Sequence, residues 1–240
     1  MTTRTAGPGR WLGPLALAVA AACSPTERAA SPASASYLYV WAGDADTLDS
    51  DFLAAIDVRP GSPTYARVVS TLPVGARATV PHHTEHQLEL DHQLFANGFK
   101  AGRTFRFDLT RPDQPRLLGS FTELGGYSYP HSFVQLPGGR LLATFQGRGP
   151  DNIPPGGLVE LDREGRFIRA TSARSESFDS LQMRPYSLAV LPDIDRVVST
   201  STDMLADYGA HLQIWRLSDL SLLQTIELPT TSDGDGHAHD

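Results

Sequence analysis

Histidines gather at three places in this 240-residue sequence: Pro81-His82-His83-Thr84-Glu85-His86, Tyr129-Pro130-His131 and His237-Ala238-His239-Asp240. Imidazole ligates Zn, Cu, Ni and Fe, and a set without thiolates or clustered carboxylates leans toward a histidine-rich copper or zinc site. The candidate metal ligands are therefore His82, His83, His131, His237 and His239. His211, in Gly209-Ala210-His211-Leu212, is a further candidate on a different strand. Glu85 or Asp240 offers either an oxygen ligand or a carboxylate that orients a ligating ring. His86 and His92 flank the polar stretch 87–91 and are assigned to a solvated loop. The bland alternative is that each histidine serves a local turn or lines a wet channel.

Convergence requires that these residues occupy equivalent points of repeated elements. From Tyr37 onward the sequence consists of short alternating runs rich in Val, Leu, Ile, Phe and Tyr, separated by Gly, Pro and Asp, the pattern of half-buried strands and tight turns. Residues 52–58, 104–109, 157–162 and 211–219 each read as a strand closing on an acidic or polar turn, and 66–72, 116–121, 166–171 and 222–228 as the strands that follow. Two hairpins complete the pattern, 132–145 around Pro137-Gly138-Gly139 and 187–200 around Pro192-Asp193, with a less regular copy at 93–96. The unit recurs every ~50 residues, within the range of four-stranded propeller blades.

The expected fold is thus all-β: a β-propeller, incomplete in this chain, with about three to four blades of a larger ring. His83 precedes Leu94 by 11 residues, His131 precedes Leu141 by 10 and Tyr186 precedes Val197 by 11, so all three should enter the first strand of a hairpin. His237 follows Leu228-Pro229 at nearly the distance that separates His82 from Leu72-Pro73. Strand entrances at one end of a propeller surround its channel. Tyr186 is expected to take the equivalent place in a blade that lacks the histidine.

Composition limits what such a site can serve. With 20 Lys+Arg against 27 Asp+Glu the net charge is -7, and no run of basic residues suggests a nucleic-acid partner. Residues 1–23 have the layout of an export signal: Arg4 and Arg10 without an acid, then the apolar run 11–22, then Cys23 after Ala20-Ala21-Ala22. That run is too short to cross a bilayer. Cys23 is placed as a lipobox cysteine, which predicts an exported, periplasmic protein tied to a membrane only through a lipid anchor. Residues 24–36 form a flexible tether and 37–240 the partial propeller. Cys23 is the only cysteine, so neither disulfides nor a thiolate catalyst operate in the exported domain.

The residues also carry a resemblance. Asp51–Val58, Gly61-Ser-Pro-Thr-Tyr65, Leu72-Pro73 with His82-His83, Tyr129-Pro130-His131, Gly156-Gly157-Leu158, Val197–Thr200 and Gly209–Leu212 with Trp215 resemble, in that order, the selenium-binding protein family, whose members include methanethiol oxidases. The resemblance implies a β-propeller enzyme that uses copper and O2 to convert methanethiol to formaldehyde, hydrogen sulfide and hydrogen peroxide. It implies metal roles for His82, His83, His131 and His211. Val134 and Gln213 stand where the family tends to have histidines, and its cysteine-containing stretch is replaced here by 85–91.

Two functional classes follow. One is a copper-dependent oxidase of small thiols, its partners a small thiol and O2. The other is a non-catalytic propeller lipoprotein that serves as a binding scaffold or holds copper without turnover, since fold alone does not decide function. The fragment 233–237 lacks the ligand spacing of a calcium loop, and 147–157 lacks the Lys-Ser/Thr of a phosphate loop.

Overall fold

In the computed structural model of the protein, the structure describes residues 36–85, 92–178, 182–202 and 209–229. Among them it has strands and two single-turn 3-10 helices, Glu176–Phe178 and Pro192–Ile194. The first sheet comprises β1 (Tyr37–Ala42), β2 (Phe52–Asp57) and β3 (Val68–Pro73). The second comprises β4 (Pro81–Thr84), β5 (Gln93–Gly98), β6 (Arg103–Asp108) and β7 (Arg116–Phe121). The third contains β8 (Glu123–Leu124), β9 (Tyr127–Leu136), β10 (Arg140–Gly147), β11 (Gly157–Asp162) and β12 (Phe167–Ser172). The fourth contains β13 (Pro185–Leu191), β14 (Arg196–Ser201), β15 (His211–Arg216) and β16 (Leu222–Glu227). Each sheet is an antiparallel meander in chain order, and adjacent sheets meet through their leading strands, β4 against β9 and β9 against β13. This is a run of blades of a β-propeller.

The hydrophobic cores lie between blades rather than within them. Successive side chains of a strand point to opposite faces, and the middle strands are covered on both. Leu141, Ala143 and Phe145 of β10 pack with Phe95 of the second sheet. Leu142, from the same strand, packs with Leu158 on the opposite side against Val197 and Trp215 of the fourth sheet. Leu53 joins the first sheet to Phe105 and Phe107 of the second in the same manner. The outermost strands β7 and β12 expose Leu117, Leu118, Phe167 and Ile168.

The acidic turns have a common construction. Asp57, Asp108, Asp162 and Asp219 each accept a hydrogen bond from the backbone N–H two residues on, from Arg59, Thr110, Glu164 and Ser221. Each also pairs with an arginine: Arg59, Arg116, Arg166 and Arg216 respectively. An Asx turn of this type reverses the chain between the third and fourth strands of a blade. Between β9 and β10, Gly138 and Gly139 adopt φ of +82° and +76°, where a side chain would be strained.

Candidate metal centre

The site is built from one local irregularity repeated in three blades. Where β4 pairs with β5, β9 with β10 and β13 with β14, the register shifts so that two residues of the leading strand face one of its neighbour. The doubled residues are His82-His83, His131-Ser132 and Tyr186-Ser187, each preceded by a proline, Pro81, Pro130 or Pro185. Proline has no N–H to lose from the ladder, which suits it to the first residue of a strand or to a bulge. In the first two of these blades the residue before the proline bends the chain into place: Val80 and Tyr129 both have φ of +57°. That is costly for a β-branched side chain such as Val80 and is the kind of strain that collects at functional sites.

Each bulge displaces a backbone N–H from the ladder, and a side chain across the hairpin accepts its hydrogen bond. His83 N donates to Asn97 Oδ1 at 2.5 Å, Ser132 N to Thr144 Oγ1 at 3.0 Å and Ser187 N to Thr200 Oγ1 at 3.0 Å. Asn97 is fully buried and also donates from Nδ2 to Pro130 O at 3.0 Å, so it ties the two histidine-bearing strands together. β-Bulges re-aim side chains. Here they turn the first doubled residues, His82, His131 and Tyr186, toward one another.

The result is a cluster of aromatic rings. His82, His83 and His131 each offer a ring nitrogen, and these atoms lie within 4.8 Å of one another. The ring centroids of His83 and His131 are 4.2 Å apart, those of His82 and His83 4.3 Å, and those of His82 and His131 4.9 Å. His131 is fully buried, His83 half-buried and His82 exposed. Tyr186, also fully buried, lies against His131 at 3.7 Å between centroids, and its hydroxyl is 3.1 Å from His82 Nε2. Phe99 closes a side at 5.5 Å from His82 and 5.6 Å from His131. Three converging imidazoles, joined among the described residues by no thiolate or carboxylate, suit copper or zinc.

Comparison with known proteins places this arrangement in context. No family model matches the chain. It is 36% identical over 116 residues to a methanethiol oxidase of Hyphomicrobium sp, covering 45% of this chain and 26% of that protein. It is 30% identical over 140 residues to a methanethiol oxidase of Ruegeria pomeroyi, covering 55% and 31%. Selenium-binding protein 2 of Arabidopsis thaliana is 25% identical over 210 residues, 75% of this chain and 42% of the relative. A hypothetical selenium-binding protein from Sulfolobus tokodaii shares the fold, with a TM-score of 0.65 at 19% identity over 81% of this chain and 49% of that one.

The chain is similar in sequence and fold to the selenium-binding protein family. It spans less than half the length of each of these relatives. Of the residues singled out in its sequence, the structure gathers His82, His83 and His131. His211 begins β15 with its ring 5.1 Å from Phe178, and is not in that group. His237, His239 and Asp240, like Cys23 and His86, lie outside the described residues.

Two expectations need correction. The bulge aligns His82, not His83, with His131 and Tyr186, because the segments joining the paired strands differ in length and counting across them slips by one. Those segments are 85–92, 137–139 and 192–195. Glu85 is not a ligand: its carboxylate accepts hydrogen bonds from Phe95 N, Gln135 Nε2 and Arg163 Nη1, all at 2.8–3.0 Å. Burial pushes the Glu85 carboxyl up, with Arg163 opposing. Gln213, where the family tends to have histidine, is buried and donates to Ala173 O at 2.8 Å and Thr225 Oγ1 at 3.3 Å. Asn97 and Phe99 escaped the sequence reading. Aligning the three Pro-x-x triplets would have pointed to the bulges and hence to Asn97.

Proposed function

We propose that this chain carries the copper site of an oxidase of small thiols, in which one methanethiol, one O2 and one water give one formaldehyde, one hydrogen sulfide and one hydrogen peroxide. The carbon loses two electrons, O2 gains them, and water supplies the oxygen of formaldehyde. The observation that carries the reading is the convergence of His82, His83 and His131 from the leading strands of two adjacent blades. Kinship with proteins named methanethiol oxidase supplies the substrate class. Copper, when bound, would supply one-electron exchange with O2 and a soft acceptor for sulfur.

The protein's own residues set the conditions around that chemistry. His82, His83 and His131 would hold the ion, with exposed His82 on the side from which a small molecule can arrive. Phe99 and Tyr186 present apolar ring surface beside the histidines, which suits a methyl group better than a charged thiol. His131 Nδ1 lies 3.1 Å from the carbonyl of Tyr186, and a carbonyl only accepts, so that nitrogen holds its proton.

The test is to incubate the purified, copper-reconstituted protein with methanethiol and O2 and to measure hydrogen sulfide and hydrogen peroxide. Equimolar release that His131→Ala abolishes is expected. Copper binding without any product would leave a copper-binding protein and overturn the oxidase. We also propose that Cys23 is the lipid-bearing first residue of the mature, exported protein, with 24–36 as its tether. Cys23→Ser should then move the protein from the membrane fraction to the soluble one.

A further inference from the structure

We infer that Tyr186 is the positioning residue of this centre and determines which nitrogen of His82 and of His131 faces the ion. The inference rests on the metal reading of the site. Tyr186 occupies the third bulge, in the place that His82 and His131 fill in the other two blades. Instead of a third imidazole, that blade presents two hydrogen-bonding atoms, and each engages a histidine from a different strand.

The first is the main-chain carbonyl. Tyr186 O receives His131 Nδ1 at 3.1 Å and also Thr144 Oγ1 at 2.6 Å. Because a carbonyl cannot donate, His131 must be protonated at Nδ1, and its lone pair lies on Nε2. Ser132 Oγ, 3.3 Å from the same Nδ1, is compatible with this as a second acceptor. The stacked phenol ring, 3.7 Å away between centroids and inclined by 36°, holds the imidazole plane.

The second is the hydroxyl, 3.1 Å from His82 Nε2. Whichever of the two atoms donates, Nε2 is engaged by the phenol, and an ion would meet His82 through Nδ1. One tyrosine thus assigns opposite ring nitrogens to the two histidines: Nδ1 on exposed His82 and Nε2 on buried His131. Hydrogen bonding to the non-ligating nitrogen fixes tautomer and ring orientation in metal sites, and loss of such a partner typically weakens binding 10–100-fold.

The test combines imidazole NMR with metal titration on wild type and Tyr186→Phe, which keeps the carbonyl and the ring but lacks the hydroxyl. In metal-free wild type His131 should appear as the Nδ1–H tautomer, and in the zinc-loaded protein His131 should be bound through Nε2 and His82 through Nδ1. In Tyr186→Phe the His131 signals should be unchanged, which also reports that the bulge is folded, while those of His82 change and copper affinity falls about tenfold. An Nε2–H tautomer at His131, zinc on His82 Nε2, or wild-type His82 signals and copper affinity in Tyr186→Phe would overturn the inference. A wild type that has the Nδ1–H tautomer at His131 and the hydroxyl-dependent His82 signals but binds neither metal supports the positioning role and defeats the metal reading instead.

Discussion

Asn97 is the residue on which the geometry of the site most depends after the histidines themselves. Its Oδ1 accepts from His83 N, its Nδ2 donates to Pro130 O, and its own carbonyl accepts from Trp41 Nε1 at 2.7 Å. Asn97→Ala would strand a displaced backbone N–H at the bulge and a carbonyl beside His131, a loss of about 1–3 kcal/mol for each buried group left unsatisfied. Asn97→Thr should be milder, because Thr144 and Thr200 perform the same acceptor role in the neighbouring blades. Urea denaturation of the two variants checks the order, and equal loss in both would show that the bulge does not need the acceptor. The histidine set was legible in the sequence because Pro-His-His and Pro-His are conspicuous. Asn97 was not, since its role depends on a register shift that composition does not reveal.

Between elements, the second and third blades are joined by a buried ion pair as well as by their apolar core. Glu85, after β4, meets Arg163, after β11, at 3.0 Å, with side chains only 2% and 8% exposed. Arg163 Nη2 also donates to Gln93 O at 2.8 Å, and its guanidinium lies over Phe95. Removing one partner of such a pair leaves a buried charge, so Arg163→Met should destabilise by about 3–5 kcal/mol while Glu85→Gln with Arg163→Met recovers part of that loss. A thermal-melt double-mutant cycle measures this. Additive losses would remove the coupling. The Asx turns are also elements, and they titrate. Asp108 and Asp219 are held down to about 2, first by hydrogen bonds from Thr110 and Ser221 and then by Arg116 and Arg216. A depressed carboxyl stabilises the fold above its unfolded value of about 3.9 and loses that contribution as pH falls toward 2. Asp108→Asn should therefore weaken the protein at pH 7 and make little difference at pH 2, as read from urea midpoints. A difference independent of pH would mean that the carboxylate charge plays no part. These turns were visible as acidic residues at strand ends, and their spacing is what made the repeat legible.

For the molecule as a whole, the blade pattern was readable because strands buried on both faces leave near-continuous apolar runs such as Leu141-Leu142-Ala143, and because turns recur at similar intervals. What escaped was phase. One residue of slip across an unequal connection exchanged His83 for His82, and Glu85, plausible as a ligand by proximity in sequence, was drawn off to Arg163 by the fold. The convergence of three imidazoles is a property of the packed blades, not of any single motif. The measurement that tests it most directly is copper titration of the purified metal-free protein, beside His82→Ala, His83→Ala and His131→Ala. The account predicts one ion bound per chain through imidazole nitrogens, with affinity reduced at least tenfold in each variant. A wild type that binds no copper, or variants that bind it as tightly as wild type, would contradict it.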